Sequence, residues 1–180
     1  LSARGVRDAL ERVVFARVGW MTWYRGDHLE PIRGGGDWDD KQEVFNFLPI
    51  RGRLYGYAQA TSDTITLSKI QPKHRADALD DVLVIFHAPR PGGGGQRIVG
   101  WYAKARVHRH QQMQVATIAR ARRKAPHYFE ADAGHAVLLP TEARVQPIRR
   151  GKGASGYSAI TYAHDAERKL KGRWVADAIA

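Results

Sequence analysis

The residues best suited to chemistry in this chain are aromatic and basic. Five tryptophans and seven tyrosines are unevenly spread. Trp20, Trp23 and Tyr24 sit close together, and Trp38 follows Gly34, Gly35 and Gly36. Tyr55 and Tyr57 flank Gly56, and Trp101 adjoins Tyr102. Rings of this kind can hold an unstacked nucleobase, each stacked base contributing about 1–3 kcal/mol. A base outside its helix is also read by hydrogen bonds along its edge. Asn46 and Asp37 are the candidate edge readers, because a carboxylate accepts from an exocyclic amino group and an amide both accepts and donates. Core packing is the plain alternative for every ring, and it weighs most for Trp101 and Phe47.

Cations form the second set. Arg106, Arg120, Arg122 and Arg123, with Arg149, Arg150 and Lys152 in the stretch RRGKGASG, are candidate phosphate contacts. Such contacts position a nucleic acid without reading its sequence. Across the chain 29 Lys+Arg face 18 Asp+Glu, a net charge of +11, which supports a polyanionic partner, nucleic acid first. A generally basic surface is the alternative, and charge does not separate DNA from RNA.

Other chemistries leave fainter marks. The chain has no cysteine, which removes disulfides and thiolate zinc sites and fits a reducing, cytoplasmic compartment. His108 and His110 share a face of an extended strand, but no third ligand follows at a diagnostic interval. His74, His87, His127, His135 and His164 are scattered, so neither metal nor cofactor is expected. Gly153-Ala154-Ser155-Gly156 misses the nucleophile-elbow pattern. Asp37, Asp39 and Asp40, with Lys41 and Glu43, offer the one enzymatic reading, a magnesium-dependent nuclease; no catalytic residue is assigned. No 18-residue apolar run exists, so no membrane span is expected.

One domain must position these residues, since 180 residues suit a single core. Residues 1–12 read as a lead-in and 13–180 as the domain. The hub is EVFNFLPIRGRLYGYAQA, residues 43–60, read as two short strands joined by a tight connection around Pro49 and Gly52. Gly56 leaves one face of the second strand open to a close approach. A first strand runs from Val13 towards Trp20, with Val14, Ala16 and Val18 facing one way and Val13, Phe15 and Arg17 the other. Residues 64–67 and the apolar run 82–87 are further strands. Residues 90–96 form an exposed glycine tip. In the strand over 98–107, simple alternation puts Trp101 on the apolar face and Tyr102 with basic residues on the open one; a bulge at Gly100 would invert this. Residues 127–129 and 136–139 are extended, 141–144 make one turn, and 163–180 read as a helix.

Several motifs together carry a resemblance: Val18-Gly19-Trp20, Gly34-Gly35-Gly36, Glu43-Val44-Phe45-Asn46-Phe47-Leu48-Pro49, Tyr55-Gly56-Tyr57, Val99-Gly100-Trp101-Tyr102 and Leu138-Leu139-Pro140. Over roughly residues 13–175 the chain resembles a bacterial module that precedes HNH nuclease domains in modification-dependent restriction enzymes. That module is similar to the EVE and YTH domains of the PUA-like superfamily. The resemblance implies an α+β fold, a curved mixed sheet or small barrel flanked by helices. It implies a flipped modified cytosine, 5-methylcytosine or 5-hydroxymethylcytosine, held in an aromatic pocket that includes Trp20, Trp38, Trp101 and Tyr102. Double-stranded DNA is then the partner, with an HNH nuclease domain beside it. No HNH pattern occurs before Ala180, and Gln42 stands where the module would carry a histidine. The expected function is therefore a reader of modified DNA. Rivals are an RNA-binding relative, the small nuclease and a protein-interaction domain.

Overall fold

The structure is a computed structural model that describes residues 11–26, 42–60, 63–113, 126–149, 158–164, 169–171, 175 and 177–178. Its centre is set by sequence runs with no polar face. β1 (Val13–Arg17) and β3 (Ala78–Pro89) pair in parallel, Val13 opposite Leu83 through Arg17 opposite His87. Val13 to Ala16 are all buried, as strands covered on both sides must be. The alternation read from the sequence holds here. Val14, Ala16 and Val18 join one core with Phe47, Phe86, Tyr102 and Phe129. Val13 and Phe15 join a second with Ile85, Ile98, Ile148 and Val175.

Around this pair lie β2 (Arg53–Gly56), β4 (Gln96–Met113), β5 (Pro126–Asp132), β6 (Ala136–Leu138), β7 (Pro147–Ile148) and β8 (Ile160–Tyr162). The strand path is β2-β5-β4-β3-β1-β8, with β6 and β7 also paired to β4. The path is open, because β2 and β8 do not meet. Among the described residues the bounded helical elements are short 3-10 turns. The expected PUA-like curved sheet or small barrel flanked by helices is thereby overturned. The helix read over 163–180 is corrected too. Ala163 is a bend after β8, and His164 bridges Leu170. Helical backbone appears only at Val175, Asp177 and Ala178 of the described residues there. No helix among the described residues is long and apolar enough to cross a membrane.

The first half of the hub is a 3-10 turn, Gln42–Phe45, rather than a strand. Its apolar residues are buried because the turn sits on the sheet. Gly19 N–H donates to Glu43 Oε1 (3.3 Å), Gly26 N–H to Val44 O (2.8 Å) and Phe47 N–H to Tyr24 O (2.9 Å). Thr64 makes a single bridge to His110, and Leu67–Lys69 is another 3-10 turn, so no strand forms there. The glycine tip is as expected, with Arg90 N–H bonded to Gly95 O (2.9 Å).

β4 departs most from simple alternation. Phe86 faces Gly100 but His87 faces Ile98, so β4 carries an extra residue at Val99. Val84 faces Tyr102 but Val82 faces Ala105, an extra residue at Lys104, whose φ is +52°. These bulges reverse the faces. Tyr102 becomes fully buried with Phe47 and Phe86, and Trp101 turns to the opposite side beside Leu139. A Cβ at Gly100 would strike the Val137 carbonyl and come within 2.8 Å of Phe47. The close approach expected at Gly56 is filled by Tyr102, Phe86 and Phe129.

Candidate functional site

The exit of β1 carries the ring that faces open space. Trp20 follows Val18, whose N–H is tied to His87 O (2.9 Å), so the indole is held at the end of the central pair. Arg144, just beyond the turn Thr141–Ala143, reaches under it. Its side chain is buried, and all three kinds of guanidinium nitrogen are used. Nε donates to Leu139 O (2.9 Å), Nη1 to Met21 O (2.5 Å) and Nη2 to Thr22 O (2.8 Å). The guanidinium carbon lies 5.1 Å from the Trp20 ring centre and 5.8 Å from that of Tyr24, within cation–π range. Arg144 thus fixes the indole while satisfying three carbonyl oxygens.

A cleft of about 280 Å³ opens there, lined by Trp20, Arg90, Pro91, Thr141, Glu142, Arg144 and Val145. Its size is close to the lower end, about 300 Å³, of pockets that take small ligands. It offers an aromatic surface, a carboxylate acceptor, a hydroxyl and an exposed cation. Of these lining residues only Trp20 was singled out for the site from sequence. Glu142 and Arg144 lie in a turn with no diagnostic spacing, and Arg90 is marked in the sequence only as the first residue of the glycine tip.

The other sequence candidates scatter. Asn46, Tyr57 and Tyr102 form a closed core network. Asn46 Nδ2 donates to Tyr57 O (2.9 Å), Tyr57 N–H donates to Asn46 Oδ1 (2.8 Å), and the Tyr102 hydroxyl donates to Asn46 O. The amide of Asn46 therefore mimics a strand partner, and both its polar atoms are used. Burial raises the pKa of both phenols. All three are buried in the core. Trp101 lies half-buried on the far side of the sheet, so the rings expected in one socket are divided between two faces. Trp23 is 55 % exposed and is not among the residues lining the cleft. Tyr55 packs edge-on against His127, ring centres 4.9 Å apart. Asp37 and Trp38 lie outside the described residues, as do Arg120, Arg122, Arg123, Arg150, Lys152 and the nuclease candidates Asp39, Asp40 and Lys41. Arg149 is exposed. Arg106 is exposed but paired with Asp80 at 3.3 Å.

A second group was not legible. His108 Nε2 lies 2.7 Å from Glu130 Oε1, and His127 Nε2 lies 3.3 Å from the same oxygen. Glu130 Oε2 accepts from Arg53 Nη2 at 3.2 Å. The hydrogen bonds from His108 and His127 hold the Glu130 carboxyl well below its ordinary pKa, against the opposing effect of burial. His108 and His110, expected to act alike, part company: His108 turns to this cluster, while His110 is exposed. The sequence signal was His127-x-x-Glu130, but on a regular strand residues three apart point to opposite faces.

No protein-family model matches this chain, and neither the curated proteins nor the solved structures contain a match.

Proposed function

We propose that the chain binds nucleic acid and seats one unstacked base against Trp20, with duplex DNA bearing a modified cytosine as the ligand of first choice. The observation that carries this is the Trp20 ring, clamped by Arg144, lining a cleft with Glu142 and Arg90 on a chain of net charge +11. Trp20 supplies the stacking face. Glu142 takes the role of edge reader, accepting from an exocyclic amino group such as N4 of cytosine. Arg90 and Arg149 contribute charge towards phosphates. Strand cleavage is not assigned to this chain; an HNH-type nuclease partner would supply it.

The test is titration against duplexes that differ in one cytosine, plain, methylated or hydroxymethylated, beside a matched RNA. The modified duplex binds most tightly. Trp20→Ala, with its fold verified by circular dichroism, loses the preference for the modified base. Arg90→Ala weakens all duplexes alike and lowers the salt slope by about one. Normal discrimination by Trp20→Ala overturns the assignment of the cleft. Tighter binding of RNA transfers the reading to an RNA-binding domain. Uniformly weak binding at about 0.1 M salt refutes the nucleic-acid reading itself.

A further inference from the structure

We propose that His108, His127 and Glu130 form a binding site for a first-row divalent metal ion, with zinc the first candidate.

Strand geometry builds the site. β4 and β5 pair regularly at Arg106 opposite Glu130 and Val107 opposite Phe129, but the next pair is Gln112 opposite His127. Five steps along β4 therefore answer two along β5. The surplus is braced from the other side, where Ile65 N–H donates to Arg109 O (2.8 Å) and Arg109 N–H to Asp77 O (2.7 Å). His108, two residues beyond Arg106, lies on the same sheet face as Glu130 by regular pairing. The wide irregularity beyond it coincides with His127 reaching the same carboxylate, a re-aiming of side chains that bulges commonly produce.

The ligating atoms of the three side chains all lie within 4.8 Å of one another. A tetrahedral zinc ion with bonds of about 2.0–2.1 Å spaces its ligand atoms about 3.4 Å apart. His127 and Glu130 already stand at that spacing, His108 needs to retreat from Glu130 by less than an ångström, and the two imidazoles, within 4.8 Å of each other, close by up to about 1.4 Å. Two imidazole nitrogens and one carboxylate oxygen suit zinc, cobalt or ferrous iron. Magnesium and calcium prefer all-oxygen sites. Three protein donors leave a fourth position for water.

Part of the surroundings orients the ligating groups, as outer contacts of metal sites do. Arg53 holds the second carboxylate oxygen at 3.2 Å, leaving Oε1 to face the imidazoles, and Asp132 lies 3.5 Å from the same guanidinium. Tyr55, two residues along β2, fixes the plane of His127. His108 and Glu130 keep 13 % and 20 % of their side chains exposed, so an ion has a way in. The Arg53 charge opposes a cation, and Asp132 offsets part of it, so the affinity falls below that of a closed four-ligand site. The competing arrangement, a metal-free hydrogen-bond network, keeps a proton on each Nε2; metal binding requires both lone pairs.

The test uses the full chain, stripped by chelator and titrated with cobalt(II). Binding is followed by visible d–d bands, and zinc is then added in competition. One equivalent binds, zinc displaces it, and zinc raises the melting temperature. His108→Asn and Glu130→Gln each weaken cobalt binding at least tenfold and abolish the zinc-dependent rise in melting temperature; His110→Asn changes neither. Unchanged binding in folded His108→Asn overturns the site, as does metal uptake that depends on His110 instead. If Glu130→Gln does not fold, His108→Asn decides alone, because its side chain reaches solvent.

Discussion

Arg144→Met tests whether a single buried cation organises the cleft. The guanidinium makes three hydrogen bonds to carbonyl oxygens at 2.5–2.9 Å and lies over two rings. Bonds from a charged donor contribute about 1.5–3 kcal/mol apiece, and the ring contacts about 0.5–2 kcal/mol apiece. The gross interaction is therefore roughly 5–13 kcal/mol. Against it stands the desolvation of a buried ion, several kcal/mol, which methionine avoids. Methionine also fills much of the same volume, and water from the cleft can reach some of the abandoned carbonyls. The net loss comes to about 2–4 kcal/mol.

Urea denaturation followed by circular dichroism reads this directly. With a slope of about 2 kcal/mol per molar, the midpoint falls by about 1–2 M. The melting temperature falls by about 4–16 °C for a chain of this size. Arg144→Lys separates charge from shape. A lysine keeps the charge, but its single ammonium cannot span carbonyls of Leu139, Met21 and Thr22 as the planar fork does, so it restores less than half the loss. A methionine variant within about 0.5 kcal/mol of the parent refutes the reasoning, and so does a lysine variant as stable as arginine.

Two further perturbations probe the core. Burial depresses the pKa of His87 to about 4, opposed by its hydrogen bond to Gln96 and aided by the charge of Arg17. The stability this neutral imidazole contributes is present above its ordinary value of 6.5 and is lost as pH falls towards 4, roughly 3 kcal/mol in all. His87→Gln flattens that limb of a stability-against-pH curve, and an unchanged slope refutes the assignment. The Glu130 carboxylate acts in a separate window, below its ordinary 4.5. Asn46→Ala leaves the N–H and C=O of Tyr57 without their partners and destabilises by about 2–4 kcal/mol; a loss under 1 kcal/mol in urea shows that the network contributes little.

What the sequence could disclose follows from where the chain is regular. β1 alternates without interruption, so its sequence divides its two faces correctly. The apolar run within β3 and the glycine tip after it were equally plain, because buried parallel strands and left-handed glycines leave local marks. β4 defeats such reading. Its extra residue at Val99 reverses the faces, as Gly100 beside it allows, and a second at Lys104, which nothing in the sequence announces, reverses them back. The consequence is chemical: Tyr102, expected at an open surface, closes the core, and Trp101 leaves the face where a base was to be held. The hub failed for a different reason. Val44, Phe45 and Phe47 are apolar enough for a strand, yet a 3-10 turn buries them equally well, so periodicity over four residues could not distinguish the two. Both candidate sites lie beyond local pattern. Trp20 meets Arg144 across more than a hundred residues, and His127 joins His108 and Glu130 only where the pairing of β4 with β5 becomes irregular. Both sites are assembled by contacts distant in sequence, which the alternation within a single strand does not disclose.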